Sequence, residues 1–579
     1  MGVELKAEAL GRAAGRDKQI AVPVRPVLRK GVRLRRSGDA LYLDGADKRQ
    51  AFTGRFAREH LGRLVDACDG GTTRAGIAAK VGLDEAVVLK ALALLWASGA
   101  LEEGAPSGAP PSDAPSSDAP LSDAPSSVSP ELACLLSRLG NSTGVNPSWT
   151  DAAARLDRTT VHLAGDRDLV AATARCLDGV VEVVDDLDDL PLDTGALVVF
   201  FETRRSRPHL ADLRDRCWLE RRPLLRVRTD ATSMTLGPYV DPTFTPCLEC
   251  GTAPETHEEP EGYGEPQAYE GYGEPQAYEG YEEPETYEAA ADGHALVAGL
   301  VAHHVLALSS RSIRTYLPLD SGIVDLTTLA TRYRPSATRP GCPTCSFSKG
   351  TTAAVAPDSA VYEASIALPV RRFLDTNGHL AHFQSKNMNL QWQFRDWPSC
   401  PRVPLPAADV TRLAGAPAPA EDAPGGVGPS DIALLLAVAF GIRERSDGWV
   451  QRWTAAGGNI GSATAYLVSR DPSVLPVGGY AYREKDHDLA QLTAEALPGE
   501  APLLLVVAAN LKKMGSKYGT FGLRLSFCDG GVALSSARKV ADRLNLPYRL
   551  VTDWDDRALT TYLGLSAAEE PLTAVMEVG

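Results

Sequence analysis

Apolar and polar positions alternate in different ways along this chain, and each way predicts a different element. Val32–Arg35 and Leu41–Leu43 read as short strands around a Ser37-Gly38-Asp39 turn. Helical spacing follows over Phe56–Cys68 and again over Thr73–Val81. A longer helix fits Asp84–Ser98, with Asp84 as N-cap and Gly99 as the stop. Within it Val88, Leu92 and Leu95 recur at i, i+4 and i+7 and share one face. Strands, then three helices, then Ala100-Leu101-Glu102 is a winged-helix order, which on its own suits DNA binding.

Further along, strand and helix patterns alternate. Thr160–Leu163 is a strand running into Ala164-Gly165-Asp166, and a helix fits Asp168–Leu177. Strands are expected at Val180–Val184, Ala196–Phe201 and Leu224–Val227, which predicts a doubly wound parallel sheet. The last third changes character. A buried helix at 431–441, strand Ala463–Val468, a hairpin near Tyr480–Leu489, strand Leu503–Ala508 and a long helix Ser526–Leu544 give an α+β layout. The fold class is therefore multidomain, α/β followed by α+β. The longest apolar runs, Ile432–Gly441 and Leu296–Leu308, fall short of the roughly 18 residues of a membrane span. The second contains His303 and His304, and both read as buried helices.

Composition sharpens the boundaries. At 579 residues the chain exceeds one core. Glu103–Pro130 repeats Ser-Asp-Ala-Pro with variations and reads as a flexible linker. The nine-residue unit Glu-Gly-Tyr-Gly-Glu-Pro-Gln-Ala-Tyr stands at 261–269 and 270–278, with a degenerate copy at 279–287. A Pro/Gly/Ala-rich stretch, Leu413–Pro429, interrupts the last domain. The net charge of -15 is mostly local, because residues 255–288 hold twelve Glu and no Lys or Arg. Residues 1–60 carry the opposite bias, fourteen Lys/Arg against seven Asp/Glu. Such a patch suits an acidic peptide or a nucleic acid, or is a solvated basic arm.

Ten cysteines in this length are not a disulfide scaffold, and four of them form two close pairs. Cys247-Leu-Glu-Cys250 and Cys342-Pro-Thr-Cys345 are knuckles that each present two thiolates from a tight turn. Together they give the four-sulfur tetrahedron that Zn2+ prefers, closed to water and hence structural. Charges where a signal peptide would be apolar, with this thiol usage, point to the cytoplasm.

These features resemble a known family. The βαβ opening, Leu236-Gly237-Pro238, the Pro246-Cys247-x-x-Cys250 knuckle and Gly341-Cys342-Pro343-x-Cys345 resemble ThiF-like proteins of thiazole/oxazole-modified peptide biosynthesis. In that branch the partner of a YcaO cyclodehydratase holds the leader of a ribosomal precursor peptide, using a winged-helix RiPP recognition element. The resemblance implies such an element at 22–102, with the leader added as a strand beside Leu41, Leu43, Phe52 and the helix carrying Val88 and Leu92. The basic excess there suits an acidic leader. Adenylating relatives need a glycine-rich turn after the first strand. Here Ala164-Gly165-Asp166-Arg167-Asp168 offers one glycine and two carboxylates, so no use of ATP is expected.

The C-terminal third resembles the streptolysin-type azoline dehydrogenases of the nitroreductase family. His382-x-x-Ser385-Lys386, Val403-Pro404-Leu405-Pro406, Arg452-x-x-Ala455-Ala456-Gly457-Gly458, Gly479-Tyr480-x-Tyr482, Lys517-Tyr518-Gly519 with Gly522-x-Arg524, and Leu563-Gly564-Leu565 carry it in order. The resemblance implies FMN, a catalytic Lys517–Tyr518 pair, and Arg452, Gly457, Gly458, Asn459 and Arg524 at the cofactor. Aromatising an azoline removes one proton and one hydride, and a Lys beside a Tyr can take or relay the proton. Three departures stand out. The family's Arg-Arg-Ser-x-Arg phosphate grip is absent, since between Pro406 and Asp431 only Arg412 is basic; its Pro-Ser is Ala455-Ala456; its Gly-His is Gly530-Gly531. Arg452, Arg395 or Arg402 would have to serve the phosphate; otherwise the protein is a non-catalytic leader-binding scaffold. The expected domains are 22–102, a linker at 103–130, a ThiF-like zinc domain at 131–354 with the 255–288 insertion, and a nitroreductase-like domain at 355–579. A homodimer through that last domain is implied, with no nucleic acid or membrane partner.

Overall fold

A computed structural model describes residues 5–15, 17, 20–46, 50–104, 128–177, 182–183, 196–230, 232–253, 293–368, 383–414, 426–446 and 449–579. The chain divides into two units, Ala7–His379 and Leu380–Gly579 with Met1–Lys6.

The first unit opens with α1 (Ala7–Ala14) and β1 (Pro26–Leu28). Strands β2 (Arg33–Ser37), β3 (Ala40–Asp44) and β4 (Gln50–Phe52) form an antiparallel wing in the order β2-β3-β4. A π-turn at Ala57–Leu61 leads into α2 (Gly62–Asp66), so the single helix expected over Phe56–Cys68 is built in two styles. Then come α3 (Arg74–Val81), α4 (Glu85–Ala97) and β5 (Leu101–Glu103), which returns to pair with β1. Capping explains the helix starts. Thr73 Oγ1 accepts the Gly76 N–H, and Asp84 Oδ1 accepts the Ala86 N–H, each filling a donor the helix leaves over. A buried ion pair within the winged helix, Arg29–Glu102, hydrogen-bonds to Ser137 of α5 (Pro130–Leu139). Arg29 donates to Glu102 at 3.3 Å and to the Ser137 carbonyl at 2.7 Å, and Ser137 Oγ donates to Glu102.

Helix α5 and a second helix, α6 (Trp149–Leu156), precede the sheet. Its order of elements is β6 (Val161–Gly165), α7 (Arg167–Cys176), β7 (Glu182–Val183), β8 (Leu197–Glu202), α8 (Leu210–Leu219), β9 (Leu224–Thr229), β10 (Ser233–Val240), α9 (Leu248–Gly251), α10 (His294–Ser310), β11 (Asp320–Asp325), β12 (Thr331–Pro335) and α11 (Asp358–Ser365). Strands lie in the order β12-β11-β10-β9-β8-β6-β7. The run β7-β6-β8-β9 is parallel, as the βα alternation predicts. Beyond it the sheet turns antiparallel through β10, β11 and β12. The cause is local. Asp230 accepts the N–H groups of Thr232 and Ser233 and closes a tight turn between β9 and β10, too short for the crossover that parallel pairing requires. On one face α10 buries Val297, Val301, Val305 and Leu308 against the sheet. Of the strand expected at Val180–Val184 only residues 182–183 are described; the 261–287 repeat and most of the 103–130 linker lie outside the described residues.

The second unit contains α12 (Ser385–Met388), β13 (Arg402–Pro404), α13 (Pro429–Phe440), a β14 (Ile442–Ser446)–β15 (Trp449–Arg452) ribbon, β16 (Ala463–Ser469), β17 (Gly478–Arg483), β18 (Asp488–Thr493), β19 (Leu503–Ala509), α14 (Leu511–Tyr518), α15 (Phe521–Arg543), β20 (Tyr548–Val551), α16 (Asp556–Leu563) and β21 (Leu572–Val578). Its seven-stranded sheet, β13-β18-β17-β16-β19-β21-β20, is antiparallel throughout. One core joins α13 and α15 to the sheet through Leu434, Leu436, Ala537, Val540, Leu505 and Met576. The other face packs Leu559 and Leu563 of α16 with Tyr466 and Val506. Among the described residues no helix is long and apolar enough to cross a membrane.

Candidate functional site

Three sets of candidate residues fall on this framework. The cysteines are brought together most tightly. Cys247 precedes α9 and Cys250 lies within it, while Cys342 and Cys345 follow β12. All four Sγ atoms lie within 4.8 Å of one another, and three of the residues are buried. The Cys247–Cys342 and Cys250–Cys345 separations are 3.7 and 3.6 Å. A tetrahedron with metal–sulfur bonds of about 2.3 Å has edges of about 3.8 Å, so the donor set fits a zinc ion. The crowding also divides the protons. Hydrogen bonding from Cys247 holds the Cys345 thiol low, at about 5, and the Cys247 thiol is pushed up.

The five apolar residues expected at a peptide groove lie elsewhere than on a surface. Leu41, Leu43, Phe52, Val88 and Leu92 are all packed inside the winged-helix core. Their spacing reports burial, because a helix between a sheet and its neighbours turns its apolar stripe inward. Among the described residues, the wing's two outer strands each pair on one side only. β4 is an edge strand of the wing, and Gln50 Nε2 donates to the Ser98 carbonyl at the end of α4, holding strand and helix side by side.

In the second unit three segments meet. Residues 457–461 form a turn in which Gly458, Asn459 and Gly461 all have positive φ. A Cβ at Gly458 would collide with Lys517 Nζ and Tyr518 Oη, so glycine alone lets the two side-chain ends reach this backbone. Lys517 Nζ lies 5.1 Å from the Tyr518 ring centroid. From α15, Asp529 accepts the Gly457 N–H at 2.7 Å and the Ser462 hydroxyl at 2.5 Å. Burial sets the protonation of the cluster. It lowers the Lys517 amine, raises the Tyr518 phenol with help from Asp529, and raises Asp529 itself. An amine made easier to deprotonate beside a phenol that keeps its proton is a pair able to accept and relay one proton. Gly458→Ala is expected to strain the turn and displace Lys517 and Tyr518, destabilising the unit by about 1–3 kcal/mol in urea melts.

The arginines named from the sequence are committed elsewhere. The Arg452 side chain, 5% exposed, pairs with Glu484 at 3.1 Å and donates to the Asn459 carbonyl. Arg395 pairs with Glu570 at 2.6 Å, and Arg402 with Asp396 at 3.1 Å. Arg524 stands exposed on the first turn of α15. Arg395, Arg402 and Arg452 thus do not form a free anchor for a flavin's phosphate. Sequence reasoning missed Glu484, Lys513, Gln391 and Asp529. The signal for Asp529 was present: it interrupts the stripe Ser526, Ala533, Ala537 and Val540 that α15 buries. In the first unit, Asp166 accepts the N–H groups of Asp168 and Leu169 at the start of α7, occupying donors that a phosphate would need.

Fold and site together define a two-unit protein with a four-thiol cluster in one unit and a lysine–tyrosine cluster in the other. No protein-family profile matches the chain, and no curated protein matches it. Among solved structures, a protein of Anabaena variabilis described as a nitroreductase is 19% identical, covering 32% of this chain and 40% of its own, with a TM-score of 0.26. The heterocyclase TruD is 15% identical, covering 80% of this chain and 63% of its own, with a TM-score of 0.38. MccB of E. coli is 11% identical, covering 56% of this chain and 98% of its own, with a TM-score of 0.38. The chain therefore spans less than two thirds of the Anabaena protein and of TruD.

Proposed function

We propose that this chain acts in the modification of a ribosomal peptide: its first unit holds the leader, and its second oxidises azolines to azoles as an FMN-dependent dehydrogenase. The carrying observation is the convergence of Gly458, Lys517, Tyr518 and Asp529. Lys517, its amine lowered by burial, takes the ring proton, and Tyr518 orients or relays it. A bound flavin would supply the hydride acceptor.

In the first unit, the open edge of β4 is read as the strand that a leader extends, with the backbone and not the buried leucines making the contact. Zn2+ on the four cysteines clips the 254–292 excursion to its sheet. Domain limits of 22–102, 131–354 and 355–579, a cytoplasmic location and a separate YcaO-type cyclodehydratase belong to the same reading. So does a homodimer through the second unit, for which Leu523 and Phe527, one turn apart on α15, expose apolar surface.

A second reading is favoured by the carboxylate pairing of Arg395, Arg402 and Arg452: a scaffold that binds leader without oxidising. Mass spectrometry separates the two. Incubated with FMN and an azoline-bearing peptide, the enzyme removes two hydrogens per ring; the scaffold leaves the mass unchanged.

A further inference from the structure

Arg452 is built into its surroundings on every side. Its Nε and Nη2 donate to the Glu484 carboxylate at 3.2 and 3.1 Å. Its Nη1 donates to the Asn459 carbonyl at 3.1 Å. A Cβ on Gly461 would fall 2.5 Å from the guanidinium, so the side chain lies directly against that glycine. The same turn is held from other directions. Lys513 Nζ donates to the Gly461 carbonyl at 3.3 Å. Asn459 Nδ2 donates to the Val450 carbonyl and to Gln391 Oε1, and Gln391 Oε1 also accepts the Val450 N–H.

Glu484 makes this arrangement possible. It lies just beyond β17, its carboxylate is ion-paired with Arg452, and the buried Lys513 amine adds a weaker favourable charge interaction. An unpaired guanidinium at this depth would be strongly unfavourable, whereas one paired and fully hydrogen-bonded can hold a strained backbone. Of the three positive-φ residues of the turn, Asn459 needs such support, since it is not a glycine.

We propose that Arg452 is a positioning residue: with Glu484 as counter-ion it is an internal strut that shapes the 457–461 turn for Lys517 and Tyr518, and it is not a ligand of a cofactor's phosphate. The inference rests on the flavin reading only for its binding test. A guanidinium neutralised by a carboxylate and spent on backbone carbonyls has no charge left to offer a dianion. The Arg and the Gly-Gly-Asn-x-Gly that succeeds it form one self-locking unit.

The test compares riboflavin with FMN, which differ by the phosphate alone, in the full chain and in Arg452→Ala. A strut predicts that both bind about tenfold or more weakly in the variant, leaving their affinity ratio unchanged. A phosphate ligand predicts that FMN weakens while riboflavin does not, and this result would overturn the proposal. Hydrogen exchange of the turn, read without any flavin, is the independent arm. Amides of residues 457–461 should exchange about tenfold faster in Arg452→Ala, with the rest of the sheet unchanged. Unchanged exchange at the turn would also overturn it. If the unaltered chain takes up neither flavin, the dehydrogenase reading fails and the exchange arm still decides the role of Arg452. Glu484→Gln guards against a variant that cannot fold, because it keeps the side-chain volume. A strut predicts a looser turn in it, whereas a phosphate ligand freed from its carboxylate predicts tighter FMN binding relative to riboflavin.

Discussion

Cys342→Ser is expected to empty the four-thiol site and to destabilise the first unit by more than about 4 kcal/mol, the range in which loss of a metal site falls. For a body of this size that is a drop in unfolding temperature of about 5 °C or more. The reason is topological. Two knuckles 95 residues apart in sequence converge after β10 and β12, where the four cysteines pack together with Trp218. Serine cannot supply the thiolate that zinc requires, and three sulfurs leave an open position that water enters. Elemental analysis should fall from one zinc per chain to a small fraction, and calorimetry should record the shift. A cysteine outside the cluster, Cys400, provides the control: Cys400→Ser should keep its zinc and its unfolding temperature.

The second large effect is on catalysis. Lys517→Ala and Tyr518→Phe are each expected to slow azoline oxidation by about 10²–10⁴-fold, the usual contribution of a positioned acid or base. The pH profile distinguishes their parts. Burial lowers the Lys517 amine, so the fraction of free base is larger at neutral pH than for an exposed lysine, and the rate should rise with pH until the amine is deprotonated. Lys517→Ala should abolish that rise. Tyr518→Phe should preserve it at a lower rate, because the phenol is raised away from this range. Steady-state rates measured across pH check both.

Much of this was readable in the chain because the informative residues are local. Thr73 and Asp84 cap the helices they precede, and the cysteine knuckles carry their own spacing. Lys517 and Tyr518 are adjacent, and Gly458 was visible as part of a motif. The residues that escaped notice reach the site from far away in sequence. Glu484 lies just beyond β17, Asp529 rides on α15 and Gln391 comes after α12, and nothing in their immediate neighbours says that they converge. Helical periodicity leaves core and groove both open at Val88 and Leu92. A repeat at i and i+4 reports which face is apolar, and the same repeat serves a core or a groove. The antiparallel half of the first sheet was hidden for a related reason: the sequence marks strands, whereas the length of the β9–β10 turn decides their direction.

Flavin titration of the purified chain addresses the central claim most directly. Followed by visible absorbance and fluorescence, added FMN should bind saturably at one per chain and be reduced when an azoline peptide is supplied. A chain that leaves the flavin free at every concentration contradicts the account and would assign the oxidation to another protein.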